Sequence, residues 1–202
     1  MKKMMLIIGL LIGVVAMIFY YESSRATEDV KTETIQTPSF NKIEIDVSNA
    51  DIKLKSGNKY KVIYEGKKQL KPKIKVDDGT LHIDSANMSV NINGNIFDLF
   101  NNRHAMVPLV TIVLPEKELK DLDVDNSNGN FTSDDVIINR ANIDLSNGNV
   151  RIKHSNAQGL DLTTSNGYVS INGKKQGSDY SENTSAKKLI EVDNSNGNIE
   201  IN

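Results

Sequence analysis

From about residue 40 onward the sequence is written in short runs of alternating apolar and polar residues, and the runs pair up around a Ser-Asn-Gly triplet. Leu122/Val124, Ala141/Ile143/Leu145, Leu160/Leu162 and Ile190/Val192 lead into triplets. Val150/Ile152, Val169/Ile171 and Ile199/Ile201 lead out of them, while Phe131 begins a shorter, less regular exit. Alternation over four to six residues describes a strand with one buried face. The triplets stand at 127–129, 146–148, 165–167 and 195–197, so the spacing is 19, 19 and then 30 residues, an expansion of 11 before the last. A degenerate copy at 43–54 carries Ala50 where the others carry glycine.

Asn-Gly between two strands supplies positive φ at little steric cost. Each triplet could close its own hairpin in an antiparallel meander, or form the same corner of successive coils in a solenoid. The hairpin explains each turn but not the repetition of the whole frame, so the spacing favours the solenoid. Coils about 4.8 Å apart would stack Asn128, Asn147, Asn166 and Asn196 into a side-chain ladder, with Gly129, Gly148, Gly167 and Gly197 at the bend. The expected fold is therefore all-β: a β-solenoid, or β-helix-like repeat domain, following a single N-terminal transmembrane helix. Residues 173–188, nearly free of apolar side chains, predict a flexible excursion from one corner. A second insertion, 87–106, contains the apolar cluster Ile96, Phe97, Leu99 and Phe100.

The first residues read as an address. Lys2 and Lys3 precede 18 residues, 4–21, without charge or proline. At about 1.5 Å per residue they reach about 27 Å, enough to cross a hydrocarbon core. Phe19, Tyr20 and Tyr21 suit the far interface, and the lysines place the N-terminus in the cytoplasm. The expected organisation is a signal-anchor at 1–21, a polar linker at 22–39 and a strand-repeat domain at 40–202 held outside the cell membrane. Cleavage near Ala26, giving a secreted domain, is the alternative.

Composition narrows the chemistry. The chain has no cysteine, which removes disulfide scaffolds, thiolate metal sites, cysteine nucleophiles and a lipidated cysteine. Its formal net charge of −2 argues against nucleic acid as the main partner. The charge is uneven: residues 52–76 hold nine lysines against Glu65, and residues 121–150 hold six aspartates against Arg140. Lys53, Lys55, Lys59, Lys61, Lys73 and Lys75 interleave with apolar residues and predict a solvent-facing basic sheet. Such a face protects strand edges, and it also suits anionic lipid headgroups, a wall polymer or another envelope protein. Phe97, Leu99 and Phe100 are the other candidate contact, either capping a solenoid end or docking on a membrane or partner.

Phe40-Asn-Lys-Ile-Glu-Ile, the strand Leu81-His-Ile, Val110-Thr-Ile-Val-Leu-Pro115 and the Ser-Asn-Gly repeats together resemble the putative-adhesin family of bacterial β-strand-repeat envelope proteins. The resemblance covers about residues 38–202. It implies a solenoid-like fold, a bacterial surface location and a sensing or accessory role in envelope stress. It supplies no catalytic residue. Ala50 and the expansion before the last repeat depart from the pattern without touching the fold.

His82, His104 and His154 share no metal-ligand spacing, so neither a metal nor another cofactor is expected. Asp123, Asp125 and Asp193 flank the turns, but a 19-residue period does not match the nonapeptide of calcium-binding β-rolls. Asp144 and Arg151 are too isolated to argue for a polysaccharide lyase. The expected function is accordingly non-enzymatic: an anchored envelope module for surface binding or scaffolding, linked to adhesion or envelope stress. A polysaccharide-active enzyme is the rival, requiring carboxylates gathered on one face, and a purely structural spacer is the third reading. The sequence stops on a strand at 199–202, which predicts an open solenoid edge, covered either by the 173–188 excursion or by homo-association with another chain.

Overall fold

The alternating pattern becomes strands throughout. A computed structural model describes residues 30–85, 107–115 and 118–202. The expected span at 4–21 and the cluster at Phe97, Leu99 and Phe100 lie outside the described residues, and residues 31–202 form the unit treated below. The first strands are β1 (Val30–Gln36), β2 (Lys42–Asn49), β3 (Asp51–Ser56), β4 (Lys61–Lys67), β5 (Lys73–Asp77), β6 (Thr80–Asp84) and β7 (Leu109–Leu114). Next come β8 (Glu118–Leu119), β9 (Asp121–Asn128), β10 (Phe131–Ser133), β11 (Ile137–Ile138), β12 (Ala141–Asn147) and β13 (Val150–Ile152). The last are β14 (Gly159–Asn166), β15 (Val169–Ile171), β16 (Lys174–Gly177), β17 (Asp179–Glu182), β18 (Leu189–Asn196) and β19 (Ile199–Ile201). Among the described residues the one helical segment is a 3-10 turn, Lys68–Leu70.

Two open sheets face each other. The nine-stranded sheet runs β1-β4-β7-β3-β10-β13-β19-β15-β16, and the eight-stranded sheet runs β17-β14-β18-β12-β9-β2-β6-β5. Each coil contributes one strand to each sheet, and coils pair in parallel. From one end to the other the stack holds six coils: I (β6, β7), II (β2, β3), III (β9, β10), IV (β12, β13), V (β18, β19) and VI (β14, β15). β8 and β11 begin a short third side, continued by a parallel bridge from Ile138 to Ser155.

Parallel register stacks like on like inside. Val110, Ile52, Phe131, Val150, Ile199 and Val169 form one internal row. Ile83, Ile45, Val124, Ile143, Val192 and Leu162 form the facing one. All twelve are buried. At roughly 1.5–3 kcal/mol per fully buried aliphatic side chain, these rows drive the stacking.

The coils are not climbed in order. The chain visits II, I, III, IV, VI and then V, so the final repeat slides between two coils already laid down. Each end also carries antiparallel strands: β4 against β7 and β5 against β6 at one end, β16 against β15 and β17 against β14 at the other. The connectivity is thus palindromic, with a penultimate coil, a cap and a terminal coil at either end.

Three expectations need correction. Residues 173–188 are not a flexible excursion, because 174–177 and 179–182 form the cap strands β16 and β17. The stretch 22–39 is not all tether, because β1 joins the nine-stranded sheet. Residues 199–201 offer no open edge, because β19 pairs with β13 on one side and β15 on the other. The sheets end on β1 and β16 and on β17 and β5, and β5 and β16 bear Lys73, Lys75, Lys174 and Lys175, charges that discourage further pairing.

Candidate functional surfaces: the turn ladder and two charged faces

The Ser-Asn-Gly corners of coils III to VI stack with the Ser-Asn-Ala corner of coil II. Asn128 Nδ2 donates to Asn49 Oδ1 at 2.8 Å, Asn147 to Asn128 at 3.0 Å, Asn196 to Asn147 at 3.0 Å and Asn166 to Asn196 at 2.9 Å. The expected ladder exists, extended by Asn49 and with Asn196 and Asn166 exchanged in order. Beside it runs a second column at the residue after the glycine. The backbone N–H groups of Asn130, Asn149 and Asn198 each donate to the side-chain oxygen of the preceding column member, at 2.7–2.9 Å, beginning from Asp51.

The glycines are needed for approach as well as for φ. A Cβ on Gly148 would sit 1.9 Å from the Gly129 carbonyl oxygen, one on Gly197 1.7 Å from that of Gly148, and one on Gly167 1.9 Å from that of Gly197. φ is +133° at Gly129, +151° at Gly148 and +138° at Gly197. Ala50 stands in coil II, the first corner of the columns, and Gly129 of coil III packs against its carbonyl. Coil VI ends the columns differently: Tyr168 takes the place of the post-glycine asparagine, and its ring lies 4.3 Å from Lys175 Nζ on the cap.

The eight-stranded sheet presents acids outward in register. One row reads Asp84, Asp46, Asp125, Asp144, Asp193, Thr163 and Asp179. The next reads His82, Glu44, Asp123, Asn142, Glu191 and Asp161. A shallow depression of 290 Å³ follows Asp125, Asp144 and Asp193. Partial burial and then the carboxylates of Asp193, Asp125 and Asp123 push the Asp144 carboxyl above its ordinary range. Aligning the repeats on the triplet would have found this face: the residue two before each serine is Asp46, Asp125, Asp144 or Asp193, and Thr163 alone in coil VI. His82 Nδ1 lies 3.0 Å from Glu44. Among the described residues no group of three or more His, Asp and Glu side chains could hold a metal ion.

The expected lysine face is divided. Lys53, Lys55 and Lys61 lie on the nine-stranded sheet with Lys59 in the adjoining loop, whereas Lys73 and Lys75 edge the eight-stranded sheet beside Asp84 and His82. Lys53 is also spent locally. Asp134 accepts from Lys153 at 2.8 Å and from Lys53 at 3.0 Å, and these two ammonium groups hold its carboxyl down at about 2. Arg151, one coil on, pairs with Glu200 at 2.9 Å.

Fold and surfaces together define a β-repeat protein in which stacked amides build the frame and the outward rows carry charge. The chain belongs to the Toastrack DUF4097 family, whose model matches residues 40–175, more than half of its length. No curated protein sequence matches it significantly. A putative cell adhesion protein from Clostridium sporogenes shares its fold, with 18% identity, a TM-score of 0.53 and coverage of 86% of this chain and 99% of that one. A putative adhesin from Parabacteroides distasonis is 13% identical at a TM-score of 0.44, over 86% of this chain and 65% of that one. A putative lipid binding protein from the same organism is 12% identical at 0.34, over 87% of this chain and 98% of that one.

Proposed function

We propose that this chain is a non-enzymatic cell-envelope module, anchored by residues 4–21, that holds a rigid surface outside the membrane for binding or scaffolding. The observation that carries the reading is the division of labour within each repeat. The corner asparagines of coils II to VI and the corner glycines of coils III to VI are committed to stacking neighbouring coils, while the outward positions repeat as charged rows at the strand spacing of about 4.8 Å. Such rows suit an extended or repeating partner rather than a small molecule in a cleft. The shared fold with a putative cell adhesion protein agrees with this. Wall polymers, anionic lipids and other envelope proteins are the partner classes, met outside the cell.

The test is protease accessibility in intact bacteria expressing the full chain with a tag after Asn202. The expected result is a membrane-bound tag that external protease removes, and a binding partner recovered by crosslinking. A tag that stays protected in the cytoplasm overturns the reading, and an accessible tag with no saturable partner leaves the structural spacer.

One observation favours the second reading, a polysaccharide-active enzyme: carboxylates do share a face, and Asp144 is held above its ordinary range among them. Release of reducing ends from a polysaccharide by the native chain, and its loss in Asp144→Asn, would establish that reading. The envelope-module reading expects no release.

A further inference from the structure

The two amide columns differ in what they leave unspent. In the first column Nδ2 uses both hydrogens: Asn128 donates to Asn49 Oδ1 and to the Ser48 carbonyl, and Asn147 to Asn128 Oδ1 and to the Ser127 carbonyl. In the second column Asn130 Nδ2 donates once, to Asp51 Oδ1 at 3.0 Å, and Asn149 Nδ2 once, to Asn130 Oδ1 at 3.0 Å. An amide nitrogen carries two hydrogens, so each of these keeps one free. Asn130 Oδ1, by contrast, already accepts both the backbone N–H and the Nδ2 of Asn149. What the second column has to spare is donors.

Those donors line one side of a groove of 450 Å³ on the outer face of the nine-stranded sheet, which crosses coils I to V from Leu109 to Asn198 and Glu200. Four steps of about 4.8 Å make it roughly 19 Å long. Its other side is the in-register row Lys53, Thr132, Arg151 and Glu200. Lys53 gives one of its three ammonium hydrogens to Asp134, and Arg151 gives its Nε–H to Glu200, so both cations keep further N–H groups. The two carboxylates on the lining stand toward its ends and are engaged, Asp51 by Asn130 and Glu200 by Arg151. Between them, coils III and IV offer donors from both sides: Asn130 and Asn149 on one, Thr132 and Arg151 on the other.

We propose that this groove is an anion-binding site for a linear phosphodiester polymer, a polyol phosphate lying along the coil axis with its phosphates over coils III and IV. The partner's location outside the membrane rests on the envelope-module reading. Unspent N–H and O–H groups beside two cations call for a ligand rich in acceptor oxygens and negative charge. Because the donors stand on both sides of the groove, each anion has to present oxygens to both. A phosphodiester does so, since it lies within the chain and its two free oxygens flank the chain axis. A uronate carboxylate hangs to one side of its chain instead. None of the groove's described lining residues is aromatic, so nothing there stacks a nucleic-acid base. The opposite sheet repels the same polymer, because its outward row carries Asp46, Asp125, Asp144 and Asp193.

The test titrates the full chain, held in neutral detergent, with poly(glycerol phosphate) and reads binding by calorimetry. The expected result is saturable binding at low salt that weakens as salt rises. Asn149→Asp keeps an acceptor for the Asn198 N–H, as Asp51 does for Asn130, but sets a carboxylate in the middle of the groove. It should weaken binding about tenfold or more, with the fold retained by circular dichroism. Arg151→Gln should weaken it about as much. Lys75→Gln, at the edge of the other sheet, should leave it unchanged. Equal losses in Lys75→Gln and Arg151→Gln, or equal binding of a polyuronate, would mean that charge alone is read and overturn the groove. Full competition by micelles carrying phosphatidylglycerol, or by single-stranded DNA, would assign the site to a lipid or a nucleic acid and overturn the polymer. Absence of binding at low salt sinks the proposal and leaves the envelope reading to its protease test. A chain that binds the polymer but keeps its tag in the cytoplasm overturns the envelope reading and not the groove.

Discussion

Coils V and VI carry the same triplet and nearly the same strands, yet one is interior and the other is an end. The difference lies in the flanking residues. Coil V reads Asn194-Ser-Asn-Gly-Asn198, with a small amide on both sides, and both faces of its corner are stacked. Coil VI reads Thr164-Ser-Asn-Gly-Tyr168. Thr164 still bonds back to coil V, and the Tyr168 backbone N–H donates to Asn198 Oδ1 at 3.2 Å, but its side chain offers no amide oxygen to a next coil. A lysine from the cap covers its ring instead. At the other side the corner columns start one coil short of the end, in coil II, with Ala50 and the acceptor-only Asp51. Stackability is thus set by two or three residues around a common triplet, and the triplet itself does not distinguish an end from a middle.

The largest test of this contrast is Gly197→Ala against Gly173→Ala. The first puts a methyl 1.7 Å from a backbone oxygen at an interior corner, and the second, at φ +73°, meets nothing within 4 Å. Urea unfolding should show a loss of about 4 kcal/mol or more for Gly197→Ala. Gly173→Ala should cost only the backbone preference, about 1–2 kcal/mol. Equal losses would mean that left-handed φ, not coil approach, selects glycine here. Next in size, Ile199→Ala should cost about 2–5 kcal/mol because Ile199 is wholly buried between two coils. Ile171→Ala, half-buried in the terminal coil, should cost about 1 kcal/mol.

Much of this frame is legible in the sequence alone. Alternation locates β9, β12, β14 and β18, and the triplet locates the corners and the amide ladder, because strand period and turn chemistry are local properties. Coil order is not legible from spacing: a 19-residue step reads the same whether the next coil lands beside its predecessor or one place further on. The 30-residue step reads as a loop because β16 and β17 carry one large apolar side chain between them, Tyr180 against the core, too few to show an alternation. The lysines alternate as a solvent face should, yet β3 and β5 belong to different sheets, and sequence proximity says nothing about which sheet a strand joins. The acidic face is readable by aligning each repeat on its serine, but it is obscured because its members come from coils separated by up to about a hundred and fifty residues in sequence.

A finer contrast compares a buried amide and an exposed amide at adjacent corners. Asn126 is buried, donates to the Ala50 carbonyl at 2.8 Å and accepts from the Asn128 N–H at 3.3 Å. Asn149 makes similar bonds on the exposed column. Asn126→Ala should cost about 2–3 kcal/mol, because it strands a buried carbonyl where water cannot follow. Asn149→Ala should cost about 1 kcal/mol, since solvent replaces the lost oxygen. Similar values would place water inside the corner and weaken the view of the ladder as the element that aligns coils.

The smallest expected effects separate the two charged faces by pH. Asp134, gripped by Lys153 and Lys53, has its folded carboxyl near 2 against an ordinary 3.8, so its contribution is present above about 4 and is lost as pH falls toward 2. Asp144 has the opposite sign. Its folded carboxyl is raised by burial and by neighbouring acids, so its ionised form opposes folding, and acidification through that raised range relieves the strain. Asp134→Asn should therefore flatten the acid limb of a stability profile and lower stability at neutral pH. Asp144→Asn should raise neutral stability slightly, by about half a kcal/mol at most, because partial burial first and like-charged strand neighbours second disfavour its ionised form on a solvated face. Added salt should shrink the Asp144 gain, since screening already removes the repulsion in the native chain. A gain that survives high salt would assign it to local burial rather than to the acidic rows, and the eight-stranded face would then carry less field than its composition suggests.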